Sequence, residues 1–295
     1  MTTTPARRLA SLLEPVAGQV YFSPECHAAY VELGFDPSPG DFNGVAGPDG
    51  PAYFTSRGSV MGQVPGEVVA AAFAVFSPAA VVPSVTLGWS RTDATTICAA
   101  RDRGAIAQLR RVLGDAPEGL DRVTDLLTRA CDTLRPEGRP LYAGLRSLPL
   151  PDEPIGAMWR QADRLREYRG DSHTAAWISA GFDACEIGML SELYWGLPLR
   201  SYARTRAWSA EEFDAAEARL VERGLVADGG FTETGRAARE GVEQATDAQM
   251  DVAMAAIGDD GLAELERLMG PWGAALRAER AYPASGPHDL ARVSG

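Results

Sequence analysis

Residues 197–248 restrict the fold more than any other part of this sequence. Ser209 and Glu212 have the spacing of a capping box, in which each residue satisfies a free backbone group at the start of a helix. That helix ends at Gly224, since glycine readily takes the left-handed conformation of a helix terminus. Residues 225–232, LVADGGFT, then place two short apolar stretches around an Asp-Gly-Gly turn, which predicts a β-hairpin.

The elements around this hairpin complete a recognisable order. A short helix fits residues 198–206, and Thr234-Gly235 leads into a further helix. Helix, helix, helix, strand, turn, strand, helix is the order of a winged helix-turn-helix. Apolar residues at helical spacing predict further helices at residues 65–76, 93–113, 117–134, 155–168 and 172–195. We therefore predict a mainly α protein with small β-wings.

The length of 295 residues suggests about two domains. The Pro-rich segment 148–156, LPLPDEPIG, is the best linker candidate. It divides the chain into a helical domain at residues 1–150 and a winged-helix domain at residues 151–295. The second domain ends in an apolar periodic pattern at 260–279, which resembles the dimer helix of two-fold regulators. We expect either a pseudo-dimeric monomer or a homodimer.

A faint internal repeat relates the two halves. Residues 27–35, HAAYVELGF, align with residues 217–225, EARLVERGL, and residues 54–58, FTSRG, align with residues 231–235, FTETG. The first half would then be a degenerate winged helix whose wing is lengthened by the Gly- and Pro-rich loop at 36–51. We predict two tandem copies of a winged helix. The alternative is one winged helix behind a helical N-terminal domain.

The charge balance argues against nucleic acid as a partner. The chain carries 28 basic and 40 acidic side chains, for a formal net charge of −12. The helix at Ser209–Arg223, in the position of a recognition helix, has five carboxylates against two arginines. Carboxylates facing phosphates repel them, so DNA binding is not expected. The candidates for a phosphate contact are Arg200, Arg204 and Arg206.

The sequence contains no familiar metal or membrane signature. The four cysteines form no CxxC pair, and the three histidines are far apart: Cys26, Cys98, Cys131, Cys185, His27, His173 and His288. No metal site is therefore expected, and the pattern identifies no cofactor. There is no apolar run of transmembrane length and no signal peptide, so we expect a cytoplasmic protein with reduced thiols and no membrane partner.

Residues 222–247 resemble the wing of MarR-type regulators, with a helix that ends in RGLV, a wing and then FTETGR. Over residues 5–280 the chain is similar to the SalK-like helix-turn-helix family of actinobacteria. The strings that carry this resemblance are Tyr21-Phe22-Ser23-Pro24-Glu25, Tyr53-Phe54 with Arg57 and Gly58, Gly138-Arg139-Pro140-Leu141, and Leu165-Arg166-Glu167-Tyr168-Arg169-Gly170-Asp171-Ser172-His173.

The sequence departs from that family at residues 58–62, where GSVMG stands in place of a small-Ala-Pro run. The resemblance therefore implies no ligand contact at these five residues. The resemblance implies a helix-turn-helix fold in a protein encoded near actinobacterial metabolic genes. It implies no single activity.

The string at 166–173 concentrates the candidate catalytic groups. We expect Gly170 to let the chain turn between two helices and Asp171 or Ser172 to cap the second one. His173 would then lie in the first helical turn, where the helix dipole favours neutral imidazole. A neutral His173 beside Asp171 or Glu167 could act as a general base or ligate a metal or haem iron. The alternative is a purely structural cluster that joins two helices.

The remaining candidates are ligand-binding residues. Arg166 and Arg169 could hold a carboxylate or phosphate through paired hydrogen bonds. Tyr53 and Arg57, at the wing of the proposed first copy, could line a pocket between the halves, or could pack the wing. Trp177 lies one helical turn beyond His173 and could stack on a planar ligand, although a core position is its ordinary role.

Glu186 interrupts an apolar run and needs a partner if it is buried, with Arg57 and Arg139 as candidates.

These observations support a small-molecule-binding protein, a tailoring enzyme of specialised metabolism on a winged-helix scaffold that no longer binds DNA. The reaction class is unknown. The alternatives are a MarR-like, ligand-responsive transcription regulator and a protein that sequesters a ligand without turnover.

Overall fold

The computed structural model describes residues 4–284, so His288 and the end of the predicted second domain lie outside the described residues. The prediction of a mainly helical protein with few small strands is confirmed. The α-helices are α1 (Pro5–Gly18), α2 (Pro24–Glu32), α3 (Gly50–Gly58), α4 (Gly66–Phe73), α5 (Pro78–Arg91), α6 (Ala94–Leu113), α7 (Leu120–Thr133), α8 (Pro140–Ser147), α9 (Pro154–Ser179), α10 (Ala184–Tyr194), α11 (Ala210–Glu222), α12 (Glu233–Ala248) and α13 (Asp251–Ala278). Two antiparallel hairpins pair β1 (Asp41–Phe42) with β2 (Val45–Ala46), and β3 (Val226–Ala227) with β4 (Gly230–Phe231). The 3-10 helices are Gln19–Phe22, Ser59–Met61 and Ala203–Arg206.

The long helix α9 organises the largest apolar core. It packs against α1, α6, α7, α8 and α12. The core contains Leu9 and Leu126 from the predicted first domain together with Trp159 and Leu265 from the second, all fully buried. The boundary at residue 150 remains a prediction, but this core does not divide there.

Helix α9 corrects the prediction of a helix junction at Gly170. The helix runs without interruption from Pro154 to Ser179, so Gly170 lies inside it and Asp171 does not cap a following helix. Instead, the Asp171 Oδ2 atom accepts a hydrogen bond of 3.0 Å from the backbone N–H of Tyr142, in the first turn of α8. The carboxylate therefore caps a neighbouring helix, which sequence spacing alone does not reveal.

The predicted helix at 172–195 is not continuous. Its first part belongs to α9, which ends at Ser179, and its second part is α10, which begins at Ala184. Asp183 and Glu186 form a capping box that starts α10. The buried Glu186 side chain pairs with Arg219 at 2.9 Å and with Arg223 at 3.2 Å. The predicted partners, Arg57 and Arg139, are therefore wrong, because α11 packs directly on α10.

The helix-turn-helix unit is residues 184–248, from α10 to α12, and its elements otherwise follow the predicted order. Ser209 and Glu212 form the expected capping box, with the Ser209 N–H donating to Glu212 at 2.8 Å. Gly224 ends α11 with a φ of +66°. A Cβ atom on Gly235 would lie 1.9 Å from the Leu225 carbonyl oxygen, so the hairpin can pack on α12 only over a glycine. The predicted helix at 198–206 shortens to the 3-10 helix Ala203–Arg206.

The first half also has a helix, hairpin, helix order, in α2, β1–β2 and α3. However, Tyr53 and Arg57 lie within α3, which Asp49 caps, so their assignment to a wing is wrong. The aligned strings therefore differ in structure, because Thr55 is inside a helix whereas Thr232 caps one. The tandem duplication remains a prediction.

The C-terminal helix α13 contradicts the assignment of a dimer helix at 260–279. It is broken at Gly258, and it packs against α1 and α7 of its own chain. Its apolar face is at most 5% exposed: Leu262, Leu265, Leu268, Met269, Trp272 and Leu276. The apolar periodicity was therefore an intramolecular core pattern.

This packing predicts that Leu265→Ala lowers the free energy of unfolding by about 2–5 kcal/mol, because it leaves a cavity at a fully buried position. Urea denaturation measures the change. Light scattering of the folded variant and the wild type should give the same mass. A change of mass without loss of stability would restore the dimer-helix interpretation.

Candidate functional site

A cavity of about 740 Å³ lies between the N-terminal helices and the helix-turn-helix unit. Its walls come from α1, α3, α9, the segment 72–76 and the 3-10 helix at 203–206. Aromatic side chains cover much of the wall: Tyr21, Phe22, Phe42, Tyr53, Phe54, Phe73, Phe76, Tyr194, Trp195, Tyr202 and Tyr282. Six arginines and four carboxylates also line it: Arg7, Arg57, Arg166, Arg169, Arg206, Arg277, Glu14, Glu167, Asp171 and Glu243.

Seven of the eight candidate residues meet at this cavity. They are Arg166, Glu167, Arg169, Asp171 and His173 on α9, with Tyr53 and Arg57 on α3. The α9 residues form two neighbouring rows on the continuous helix, Arg166, Arg169 and His173 in one and Glu167 and Asp171 in the other, because side chains three or four positions apart lie close together. Trp177 does not line the cavity. It is 4% exposed in a second core, formed by the helix-turn-helix unit.

Glu167 joins α9 to α3 at the cavity wall. Arg57 donates to both of its carboxylate oxygens, at 3.0 and 2.8 Å, and Arg166 donates at 3.0 Å. The Tyr21 hydroxyl donates a further bond at 3.1 Å. Burial alone would raise the pKa of Glu167, but the two guanidinium groups outweigh burial and hold it well below its usual range. Glu167 is therefore ionised and unsuited to accept a proton at neutral pH.

The two arginines predicted to hold a ligand anion already have carboxylate partners. Arg166 makes a bidentate pair with Glu14, at 2.8 and 3.0 Å. Arg169 lies 2.9 Å from Glu243 and 3.3 Å from Asp247. An incoming anion would have to compete with these pairs, so the structure places both arginines at the cavity without leaving their charge unpaired.

His173 has an unprotonated ring nitrogen. The Thr246 hydroxyl donates to the Val242 carbonyl at 2.8 Å, so the His173 Nδ1–H donates to Thr246 Oγ1 at 3.1 Å. Burial lowers the pKa of His173 to about 3, and Arg239 and Arg169 act in the same direction against Glu243. The expected neutral imidazole is therefore present, but its cause is burial rather than a helix N-terminus. Such a low pKa makes it a weak base at neutral pH.

The pKa of Asp171 shifts upward, in the direction opposite to that of His173. Burial and the nearby Glu167 carboxylate raise the pKa of Asp171 to about 7. A carboxyl group with such a pKa can both accept and donate a proton near neutral pH. Of the three residues proposed for proton transfer, Asp171 has the best-matched pKa.

Sequence reasoning missed the aromatic wall and Arg206. Residues 72–76, AFAVF, look like the end of a buried helix, but α4 stops at Phe73 and Phe76 lines the cavity. Arg206 was considered only for a phosphate contact. The signal that could have found both is the concentration of aromatic residues in two separate segments, 53–76 and 194–208.

The comparisons with known proteins bear on the fold. The model of a helix-turn-helix family matches residues 6–283. The chain belongs to this helix-turn-helix family. No curated protein and no solved structure matches it significantly.

In this member of the family, several arginines of the helix-turn-helix unit are paired with carboxylates, whereas the exposed Arg204 and Arg236 form no ion pair among the described residues. Arg200 pairs with Asp214 at 2.7 Å and with Glu217 at 2.6 Å, and Arg219 and Arg223 pair with Glu186. Arg206 points to the cavity.

Within residues 4–284, no group of three or more His, Cys, Asp or Glu side chains is placed to hold a metal ion. Over the same residues, every helix is too short or too polar to span a bilayer.

The low pKa of His173 predicts an acid-sensitive fold. Below pH 6.5 the unfolded chain protonates this imidazole while the folded protein does not, down to a pH of about 3. Stability is thus lost as the pH falls through this window, by on the order of 1 kcal/mol per pH unit. His173→Asn, whose amide can still donate to Thr246, should flatten this dependence. Urea unfolding at pH 7, 6, 5 and 4 measures it, and equal slopes in both proteins would contradict the assignment.

Proposed function

We propose that this protein binds a small aromatic molecule in the cavity between its N-terminal helices and its helix-turn-helix unit. The observation that carries the proposal is the cavity itself, at about 740 Å³ within the ordinary range of ligand sites. Aromatic rings would surround the body of the ligand, and a few polar groups would orient it.

Asp171 supports the further proposal that the protein is a tailoring enzyme. Its carboxyl group lies at the cavity, only 4% exposed, with a pKa of about 7. One oxygen is held by the Tyr142 N–H, which fixes the orientation of the group. In such an enzyme Asp171 would take up or release the proton, while the neutral His173 would accept a hydrogen bond from the substrate. The resemblance to the SalK-like family supports a role in specialised metabolism.

Gly170 provides a direct test of cavity binding. It lines the cavity, and a Cβ atom there would meet only the Glu167 carboxylate, at 3.6 Å. Gly170→Trp should fill part of the cavity and abolish the fluorescence gain of phenylnaphthylamine, an uncharged aromatic probe that the wild type should bind. Gly170→Ala is the matched control. It should keep binding and raise the free energy of unfolding by up to about 1 kcal/mol, because alanine favours a helix interior.

Circular dichroism should give both Gly170 variants the helix content of the wild type. A wild-type protein that does not bind the probe, or a folded Gly170→Trp variant that binds it as well as the wild type, would contradict the proposal.

The second candidate function is a MarR-like, ligand-responsive transcription regulator. The complete order of α10, the 3-10 helix, α11, the β3–β4 hairpin and α12 favours it. The paired arginines of this unit disfavour it, because counterion release by free cations supplies most of the affinity for DNA.

We expect no sequence-selective binding to the DNA upstream of its own gene, even at low salt. Fluorescence anisotropy at low and moderate salt, with a scrambled duplex as control, measures this. Sub-micromolar, salt-sensitive and selective binding would instead establish the regulator and overturn the argument from charge.

A further inference from the structure

We propose that Arg206 is the anchor for an oxyanion carried by an aromatic ligand, so that the cavity selects aryl carboxylates or related aryl anions. This inference rests on the proposed function, since it names the class of molecule that the cavity would take.

Arg206 differs from other arginines on the cavity wall in its charge balance. Arg7, Arg57, Arg166 and Arg169 each form an ion pair with a carboxylate at 3.0 Å or less. Among residues 4–284, no carboxylate lies within ion-pair distance of Arg206, whose only side-chain hydrogen bond is to the Tyr202 hydroxyl. Its positive charge is therefore available to a ligand.

Two aromatic rings hold this guanidinium in place. Its central carbon lies 4.5 Å from the centre of the Phe76 ring and 4.7 Å from that of Tyr202. These contacts restrict the guanidinium group, and its one side-chain hydrogen bond among the described residues, to the Tyr202 hydroxyl, leaves its other N–H donors free. A planar fork of this kind matches the two oxygens of a carboxylate. The anchor is thus oriented before any ligand arrives.

The backbone on either side of Arg206 is also fixed. Its carbonyl oxygen accepts a hydrogen bond of 2.8 Å from the Ser77 N–H. Two residues later, the Trp208 indole donates to the Val75 carbonyl at 2.9 Å. Both partners follow α4, in the segment that carries Phe76. The anchor and the aromatic wall therefore belong to one connected unit, which reduces the entropy lost on binding.

The neighbouring rings define the rest of the ligand. Tyr53, Phe54, Phe73 and Phe76 contact one another, with ring centres 5.1 to 6.3 Å apart. Most of these contacts are edge-to-face or tilted, so the rings present a surface on which another aromatic ring can pack. A planar apolar body with one negative group at its end satisfies both the wall and Arg206.

Two fluorescent probes distinguish the contribution of Arg206 to binding from that of the aromatic wall. Anilinonaphthalene sulfonate and phenylnaphthylamine share one ring skeleton and differ in the anionic group. In Arg206→Gln we expect the Kd of the sulfonate probe to rise roughly ten- to hundredfold, as for the loss of hydrogen bonds to a charged group. The Kd of the neutral probe should stay within about twofold, since its binding uses only the rings.

Arg204→Gln is the matched control. Arg204 lies in the same 3-10 helix, is exposed and donates to the Ser201 carbonyl, but it does not line the cavity. It should change neither Kd. Arg206→Lys keeps the charge without the planar fork and should give an intermediate Kd for the sulfonate probe, which provides a second measurement if Arg206→Gln is poorly folded.

The outcomes distinguish this inference from the proposed function. Equal affinities of Arg206→Gln and wild type for the sulfonate probe, or an equal loss for both probes, would overturn the anchor while leaving cavity binding intact. A wild-type protein that binds neither probe would overturn the proposed function and the anchor together. Selective loss of the sulfonate probe supports the anchor.

Discussion

The buried Glu167 carboxylate is the interaction on which the candidate site depends. It lies on α9, the helix at the centre of the core, and Arg57 and Arg166 hold it from α3 and from α9 itself. Through Arg166 and Glu14 the same network reaches α1. Removing one partner of such a buried network leaves an uncompensated charge, so its members are fixed together. The network therefore joins α1, α3 and α9 at the wall of the cavity.

The distribution of arginines is consistent with the small-molecule function proposed for this helix-turn-helix fold. On the outer face, Arg200 and Arg219 are neutralised by carboxylates of α10, α11 and their loops. On the inner face, Arg206 lies over the rings of Phe76 and Tyr202 and has no carboxylate partner among the described residues. Carboxylates thus neutralise several cations on the surface that would meet phosphates, whereas Arg206 keeps an unpaired charge at the cavity.

The pKa values of two neighbouring residues on α9, Asp171 and His173, shift in opposite directions, and both shifts favour the uncharged form. Burial keeps His173 neutral by lowering its pKa to about 3, and keeps Asp171 largely protonated up to a pH of about 7. The same desolvation disfavours a charge on either group, whichever sign that charge has. Near neutral pH the part of the wall at Asp171 therefore carries only a partial negative charge, between the ion-paired networks of Glu167 and Glu243.

Local signals in the sequence determined the helices, the capping box at Ser209, the turn at Gly224 and the hairpin after it, because each depends on residues only a few positions apart. The same local signals placed Asp171 at a helix start and the apolar face of α13 in a dimer. Tertiary structure decided otherwise, since Asp171 caps α8 from a distance and α13 packs on its own chain. Tertiary structure also decided which arginines are paired. A carboxylate from a distant helix cannot be assigned to an arginine by spacing, because its distance depends on how the helices pack.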